Sequence, residues 1–274
     1  MRQIKLINRI EIRNAAKALR EDLGIDEDVP IKDIEDLIKN AGYSYLECPF
    51  PDNNSGYSKY LGQENYEIGF NLNHYFNNNF KRFTLAHEVG HVIMPAHNKI
   101  LKDSGELRSM PEYKSDQSIE KEADYFAISF LAPEKTFKDK IQSMQFKKDS
   151  IECLSSGFGI SLYAATLRYL ELTELVCSVI VCNESGRVEY EQRSETLNAA
   201  SSAIPFRYRE PLDGNLQNRI KSNSGSAIKV NLSDWYPGVS DELGATETVI
   251  KLGYNQKVLV LLEPDDNELE EYII

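Results

Sequence analysis

Two histidines four residues apart, His87 and His91, bracket a glutamate, Glu88, within the run Arg82-Phe-Thr-Leu-Ala-His-Glu-Val-Gly-His91. On a helix, positions i and i+4 project from one face one turn apart, so the two imidazoles can take two corners of a zinc tetrahedron. Glu88 is rotated by about 100° from His87, which sends its carboxylate beside a metal rather than onto it. That is the place of a general base for a metal-activated water. Gly90 leaves room for a neighbouring backbone or substrate to approach. The chain holds just four histidines, so composition alone does not readily produce this string by accident.

A catalytic zinc site wants a third protein ligand and an open fourth position. The stretch Glu120-Lys-Glu122-Ala-Asp124-Tyr-Phe-Ala127 offers one. Glu120 and Asp124 share a helix face, and Ala123 and Ala127 keep that side thin enough to pack closely on the first helix. Glu120 can then reach the metal while Asp124 accepts the ring N–H of a ligand histidine and fixes its tautomer. Glu122, about 200° from Glu120, is the alternative third ligand. His97, beyond Pro95, is a further ligand candidate but reads as a surface loop histidine.

The elements that must position these groups are legible in outline. Residues 8–23 have helical apolar spacing (Ile12, Ala15, Ala16, Leu19, Leu23), and a second helix is predicted over Ile31–Asn40 behind Pro30. From Tyr43 to Leu72 short Tyr- and Ile-rich segments alternate with turn residues, which predicts a small antiparallel sheet. Asn77-Asn78-Asn79 caps a helix running from about Phe80 to Met94, which Pro95 ends. Residues 96–117 read as a loop with at most a short helix, and Ser118–Leu131 as a second strong helix. Two or three more helices follow over 135–174, with Phe158-Gly-Ile-Ser161 as a tight turn. After Leu175 the texture becomes β-rich: a strand to Val181, a turn at Asn183–Gly186, a returning strand from Arg187 and a third apolar run at Lys257–Leu262. The expected fold class is therefore α+β. A mainly helical domain, 1–174, carries the small sheet, and a smaller, mostly β domain, 175–274, ends in an acidic cluster (Glu263, Asp265, Asp266, Glu268, Glu270, Glu271).

Composition narrows the partners. Among 274 residues, 31 are Lys or Arg and 43 are Asp or Glu, giving a net charge of −12. A field of that sign repels a polyanion, so direct nucleic-acid binding by general phosphate neutralisation is excluded. A DNA-binding reading of residues 150–174 fails on the same ground, because Arg168 is the sole basic residue there. Cys48, Cys153, Cys177 and Cys182 lack C-x-x-C spacing and read as reduced thiols. No run approaches 18 apolar residues, and the charged N-terminus is no signal peptide. A cytoplasmic protein without a membrane span is expected.

The run F-T-L-A-H-E-x-G-H, followed by E-x-x-A-D-x-F-A-x-x-x-L-x-P (Glu120 to Pro133), resembles the ImmA/IrrE-type metallopeptidase family. Gly56-Tyr57, Gly69-Phe-Asn71, the two N-terminal helices ending in Ala-Gly-Tyr, Phe158-Gly-Ile-Ser and Leu167-Arg-Tyr-Leu extend the likeness over roughly residues 8–174. The resemblance implies a gluzincin-like zinc endopeptidase with His87, His91 and Glu120 as Zn2+ ligands and Glu88 as the base. It also implies a substrate, a helix-turn-helix transcriptional repressor whose cleavage relieves repression of mobile-element or stress-response genes. One departure is Pro95, which stands where many members carry a further histidine.

In that chemistry Glu88 takes a proton from the attacking water and returns it to the leaving amine, while a second donor meets the oxyanion. Tyr57, Tyr60 and Tyr125 are the candidates for that donor, and the strand Gly56–Leu61 could take an extended substrate by strand addition. Arg82 reads as structural, paired with an acidic neighbour. The 175–274 domain reads as regulatory or substrate-binding, its acidity suited to a partner with a basic surface. The alternative function is a non-catalytic regulator that holds metal for its fold and binds a partner through that domain. Glu88 speaks for the enzyme, since a retired site has little need of a base between its ligands.

Overall fold

The computed structural model describes residues 8–51, 53–109, 118–183, 186–200, 212, 214–223, 225–253 and 257–266. The chain divides into two compact units. The first runs to residue 136 and includes 156–161, and the second holds 137–155 and 162–274. This division by packing differs from the one suggested by the change of texture near 174. Helical segments beyond 136 share contacts with the C-terminal sheet, which a texture boundary cannot register.

The first unit opens with α1 (Arg9–Asp22), which buries Ile12, Ala16 and Leu19 and is capped by the Asn8 side chain. Helix α2 spans Ile34–Asn40 and starts three residues later than the apolar spacing predicts, because the Asp33 carboxylate accepts from the Asp36 N–H and fixes the first turn. Ile31 is buried all the same. The sheet holds β1 (Ser44–Cys48), β2 (Gly56–Gly62), β3 (Asn65–Asn71) and β4 (Glu106–Ser109) in the order β1-β3-β2-β4. It is mixed rather than purely antiparallel, since β1 runs parallel to β3. Gly62, Gln63 and Glu64 all take positive φ in the turn that joins β2 to β3.

The predicted loop after Pro95 is largely ordered. It contains helix α4 (Pro95–Ser104) and then β4. Pro95 ends α3 (Asn78–Ile93) but also opens α4 at its first turn, where a missing N–H costs nothing. Gly105, with φ +81°, stops α4 in the left-handed conformation. Residues 110–117 lie outside the described residues, and α5 follows at Ser118–Leu131.

Helix α3 is the centre of this unit, and every residue from Thr84 to Val92 is buried. It packs against α5 on one side and against β2 and β3 on the other. A methyl group on Gly90 would meet the Phe126 ring at 2.9 Å, so the two helices approach closely there. Helix α1 covers the other side of α5. Arg20 of α1, itself buried, donates to the Phe130 carbonyl of α5 at 2.9 Å and to the carbonyls of Asp26 and Val29.

Helices α6 (Glu134–Ile141), α7 (Lys148–Phe158) and α8 (Leu162–Leu172) fill the stretch predicted helical. Gly159, with φ +61°, makes the turn between α7 and α8. Arg168 is buried and donates to Glu171, so it presents no charge to a phosphate. The second unit adds β5 (Ser178–Cys182), β6 (Val188–Arg193), α9 (Glu195–Ala200), α10 (Gly214–Ser222), β7 (Ile228–Asn231), β8 (Gly244–Lys251) and β9 (Val258–Pro264). Its five strands are all antiparallel in the order β6-β5-β9-β8-β7, with β9 in the middle. Trp235, Ile180, Val249, Val260 and Leu262 belong to its core. Buried Glu247 is held there by Arg219 and by Trp235 Nε1–H at 2.8 Å. Of the acidic cluster, Glu263 lies in β9 and Asp265 and Asp266 follow it, while Glu268, Glu270 and Glu271 lie outside the described residues. All four cysteines are free. Cys177 and Cys182 are buried, Cys48 is half-buried and Cys153 is exposed. No described helix is long and apolar enough to cross a membrane.

Candidate metal centre

His87, Glu88 and His91 sit in the buried middle of α3, and Glu120 and Asp124 project from the start of α5. Three side chains converge. His87 Nε2 lies 3.1 Å from His91 Nε2, and the Glu120 carboxylate oxygens lie 3.4 Å from the first and 3.5 Å from the second. A tetrahedral ion with bonds of 2.0–2.1 Å needs donors separated by about 3.3–3.4 Å, and the two imidazole nitrogens and the carboxylate, which faces each through a different oxygen, come together on that scale. Among the described residues this is the group whose donor atoms come together within reach of a single metal ion. The donor set of two imidazoles and one carboxylate suits a borderline divalent cation.

The surroundings favour positive charge. His87 Nδ1 is 2.8 Å from Asp124 Oδ1. With Nε2 left free to meet a cation, Nδ1 carries the hydrogen and donates it to that carboxylate. Burial lowers the His87 pKa, but the hydrogen bonds to Asp124 and Glu120 outweigh it and raise the value to about 10. Burial, reinforced by the like charge of His87 and then of His97, holds His91 well below the usual histidine value. The centre thus keeps one proton where a metal cation would otherwise balance the carboxylates.

Glu88 is fully buried. Its Oε2 accepts a hydrogen bond of 2.7 Å from Ser58 Oγ on β2, whereas Oε1 has no hydrogen-bond partner among the described residues. Burial raises its pKa, the charge of His87 and then the hydroxyls of Ser109 and Ser58 draw it back, and it settles at about 7. One oxygen is therefore anchored, the other is buried facing Gly56, and the group is poised to exchange a proton near neutrality. Gly56 lets the strand come this close, since a methyl there would stand 2.8 Å from Glu88 Oε1 and from Thr84 Cγ2.

Several expectations are revised. His97 is a buried residue of α4, not a surface loop histidine, and its Nδ1 lies 3.1 Å from His91 Nδ1. Glu122 is turned from the donor cluster towards His97 Nε2, at 2.9 Å. Tyr57 points to the sheet face opposite Ser58, donates to Glu67 and rests its ring over Gly69, so its hydroxyl is engaged away from the centre. Tyr125 lies on the α1 side of α5, with the Arg9 guanidinium 5.4 Å from its ring centre. Tyr60 packs on Tyr66 beneath Lys102. Over Gly56–Lys59, β2 is paired on both sides, by β3 and β4, so strand addition has no edge there; β4 is the neighbouring edge. Arg82 is structural as expected, but it donates to the backbone carbonyls of Lys32, Gly159 and Phe158 rather than forming the expected ion pair. Ser58 escaped sequence reading altogether, because a serine in an alternating strand carries no signal of what faces it.

Residues 39–169, just under half of the chain, match the family model described as Peptidase_M78, the IrrE N-terminal-like domain, which supports the ImmA/IrrE-type resemblance. The matched segment contains all of the residues that build the centre. A solved structure titled "Mycobacterium tuberculosis transcriptional regulator" is similar in fold, with a TM-score of 0.54 at 13% identity over 92% of this chain and 75% of that one. No curated protein matches the sequence.

Proposed function

We propose that the chain is a zinc-dependent endopeptidase that cuts a specific protein in the cytoplasm, most simply a helix-turn-helix transcriptional repressor, and so relieves repression. The observation that carries the reading is the meeting of His87 Nε2, His91 Nε2 and the Glu120 carboxylate at 3.1–3.5 Å beside a buried base of raised pKa. A bound Zn2+ supplies Lewis acidity, acidifying a water and polarising the scissile carbonyl.

The protein's own groups do the rest. His87, His91 and Glu120 hold the ion, and Asp124 orients His87. Glu88 accepts the proton of the attacking water while Ser58 holds its Oε2 in place. It then delivers that proton to the leaving amine nitrogen, ending as a carboxylate again. The edge strand β4 suits an extended peptide chain bound by strand addition, in place of the doubly paired β2. The helix-turn-helix substrate and the regulatory or substrate-binding role of 175–274 rest on the family resemblance and on an acidity that suits a basic partner.

The test is to incubate the zinc-loaded protein with candidate helix-turn-helix repressors, beginning with any encoded beside it, and to follow both by mass spectrometry. Wild type should release two fragments, while Glu88→Gln should bind zinc and release none. Processing by Glu88→Gln at the wild-type rate sinks the mechanism, and zinc binding without cleavage of any candidate points to the non-catalytic regulator instead.

A further inference from the structure

Three acidic residues stand in the first turns of α5, and each is turned to a different imidazole contact. Glu120 meets both Nε2 atoms, Asp124 meets His87 Nδ1, and Glu122 meets His97 Nε2. His97 is 2% exposed and its ring lies 5.1 Å from that of His91, with 34° between the planes. The break at Met94-Pro95 produces this arrangement by ending α3 and folding α4 back, so a residue six positions after His91 returns over it.

The contact between His91 Nδ1 and His97 Nδ1, 3.1 Å, joins two nitrogens of the same kind, so one must bear a hydrogen and the other a lone pair. The direction follows from the donor cluster. If His91 Nε2 presents its lone pair beside His87 Nε2 and Glu120, its Nδ1 carries the hydrogen and donates. His97 Nδ1 then accepts, its Nε2 carries the hydrogen, and Glu122 Oε2 accepts at 2.9 Å. Every member is satisfied and the series ends on an anion.

We propose that His97 and Glu122 are positioning residues for the metal centre: a two-step relay that fixes the tautomer and ring angle of His91 and strengthens its grip on the ion. The inference rests on the metal-binding reading above. It gives His91 through an intermediate ring what Asp124 gives His87 directly, since a carboxylate behind a ligand histidine raises its basicity. It also accounts for the spacing Glu120, Glu122, Asp124, which a solvated acidic face does not require. The competing view is that His97 is merely a buried polar side chain satisfied by Glu122, with no influence on the ion.

The test measures zinc affinity of the full chain by competition with a chromophoric chelator, together with the absorption spectrum of the cobalt(II)-loaded protein. His97→Phe keeps the bulk and removes the acceptor; it should weaken zinc binding about 10- to 100-fold and shift the cobalt bands. His97→Asn places an amide oxygen near the old Nδ1 and should restore affinity to within a few-fold of wild type. Glu122→Gln should weaken binding by an intermediate factor. Natively folded His97→Phe that binds zinc within about twofold of wild type, with unchanged cobalt bands, overturns the proposal. Should that variant fail to fold, Glu122→Gln with wild-type affinity and spectrum overturns it equally. If wild-type protein itself takes up no zinc or cobalt, the metal-binding reading fails first and this one with it.

Discussion

Ser58 Oγ lies 2.7 Å from Glu88 Oε2 and 2.8 Å from the Glu88 backbone carbonyl oxygen, both within the buried contact between β2 and α3. One hydroxyl hydrogen serves these two acceptors, and either way the strand is tied to the residue proposed as base. The sheet is thus part of the centre, although neither histidine nor Glu120 comes from it.

Ser58→Ala should move the acidic limb of the kcat/KM profile to higher pH. The hydrogen bond to Oε2 favours the ionised carboxylate and opposes the burial that raises Glu88 to about 7. Without it the pKa rises further, more Glu88 is protonated at neutrality, and the limb shifts upward by on the order of half to one pH unit. A limb that stays in place, or moves to lower pH, refutes the role given to Ser58.

Gly56→Ala should damage the centre from the strand side. The new methyl would press on Glu88 Oε1 and Thr84 Cγ2 at 2.8 Å, and both are buried. A loss of about 1–3 kcal/mol in unfolding free energy is expected for such overpacking, with cleavage falling more than stability explains. Urea unfolding beside single-turnover cleavage checks this.

Arg82→Met should weaken the fold but not the centre. It removes the hydrogen bonds to the exposed Lys32 carbonyl and the part-buried Gly159 carbonyl, at 2.8 and 3.1 Å. About 1–3 kcal/mol of destabilisation should follow, while zinc affinity per folded molecule stays at the wild-type value. A fall in affinity without loss of stability contradicts this assignment.

Removing the ion should lower the melting temperature. A ligand at about 1,000 times its Kd stabilises the folded form by about 4 kcal/mol, so chelation should shift the melt down by several degrees and added zinc restore it. Glu120→Ala, which deletes the carboxylate that spans both imidazoles, should melt at nearly one temperature with or without zinc.

The thiols should divide sharply in reactivity. Cys153 is exposed, while burial pushes the Cys182 thiol up to about 12 and raises that of Cys177 as well. Alkylation at pH 8 followed by peptide mapping should label Cys153 rapidly and leave Cys177 and Cys182 untouched until denaturant is added. Labelling of Cys182 at the rate of Cys153 would contradict its burial.

The donor cluster is legible in the sequence because helical spacing translates directly into geometry. His87, Glu88 and His91, together with Glu120 and Asp124, stand where i, i+1 and i+4 arithmetic puts them. What failed was anything that depends on how one element returns over another. Pro95 reads as a stop, but it is also a favourable first residue, and taking it only as a stop turned α4 into a loop and His97 into a surface side chain. Tyr57 reads as an aromatic hydroxyl beside the centre, yet strand alternation gives that face to Ser58. The parallel pairing of β1 with β3, which passes over β2 in the chain, leaves no trace in local alternation, and the short β7 and the strand β8 carry too weak a local pattern to stand out. The α+β class survived these errors because it rests on the broad change in periodicity rather than on register.

The middle position of β9 also has a bearing on how the polypeptide is made. Its neighbours β5 and β8 precede it in the chain, so until residues 258–264 leave the ribosome each has a raw edge where its last partner belongs. Such edges invite pairing with foreign strands. Translation that halts shortly before this point should therefore yield a sticky, protease-sensitive product, and a few residues of nascent chain decide between a sealed sheet and an aggregate.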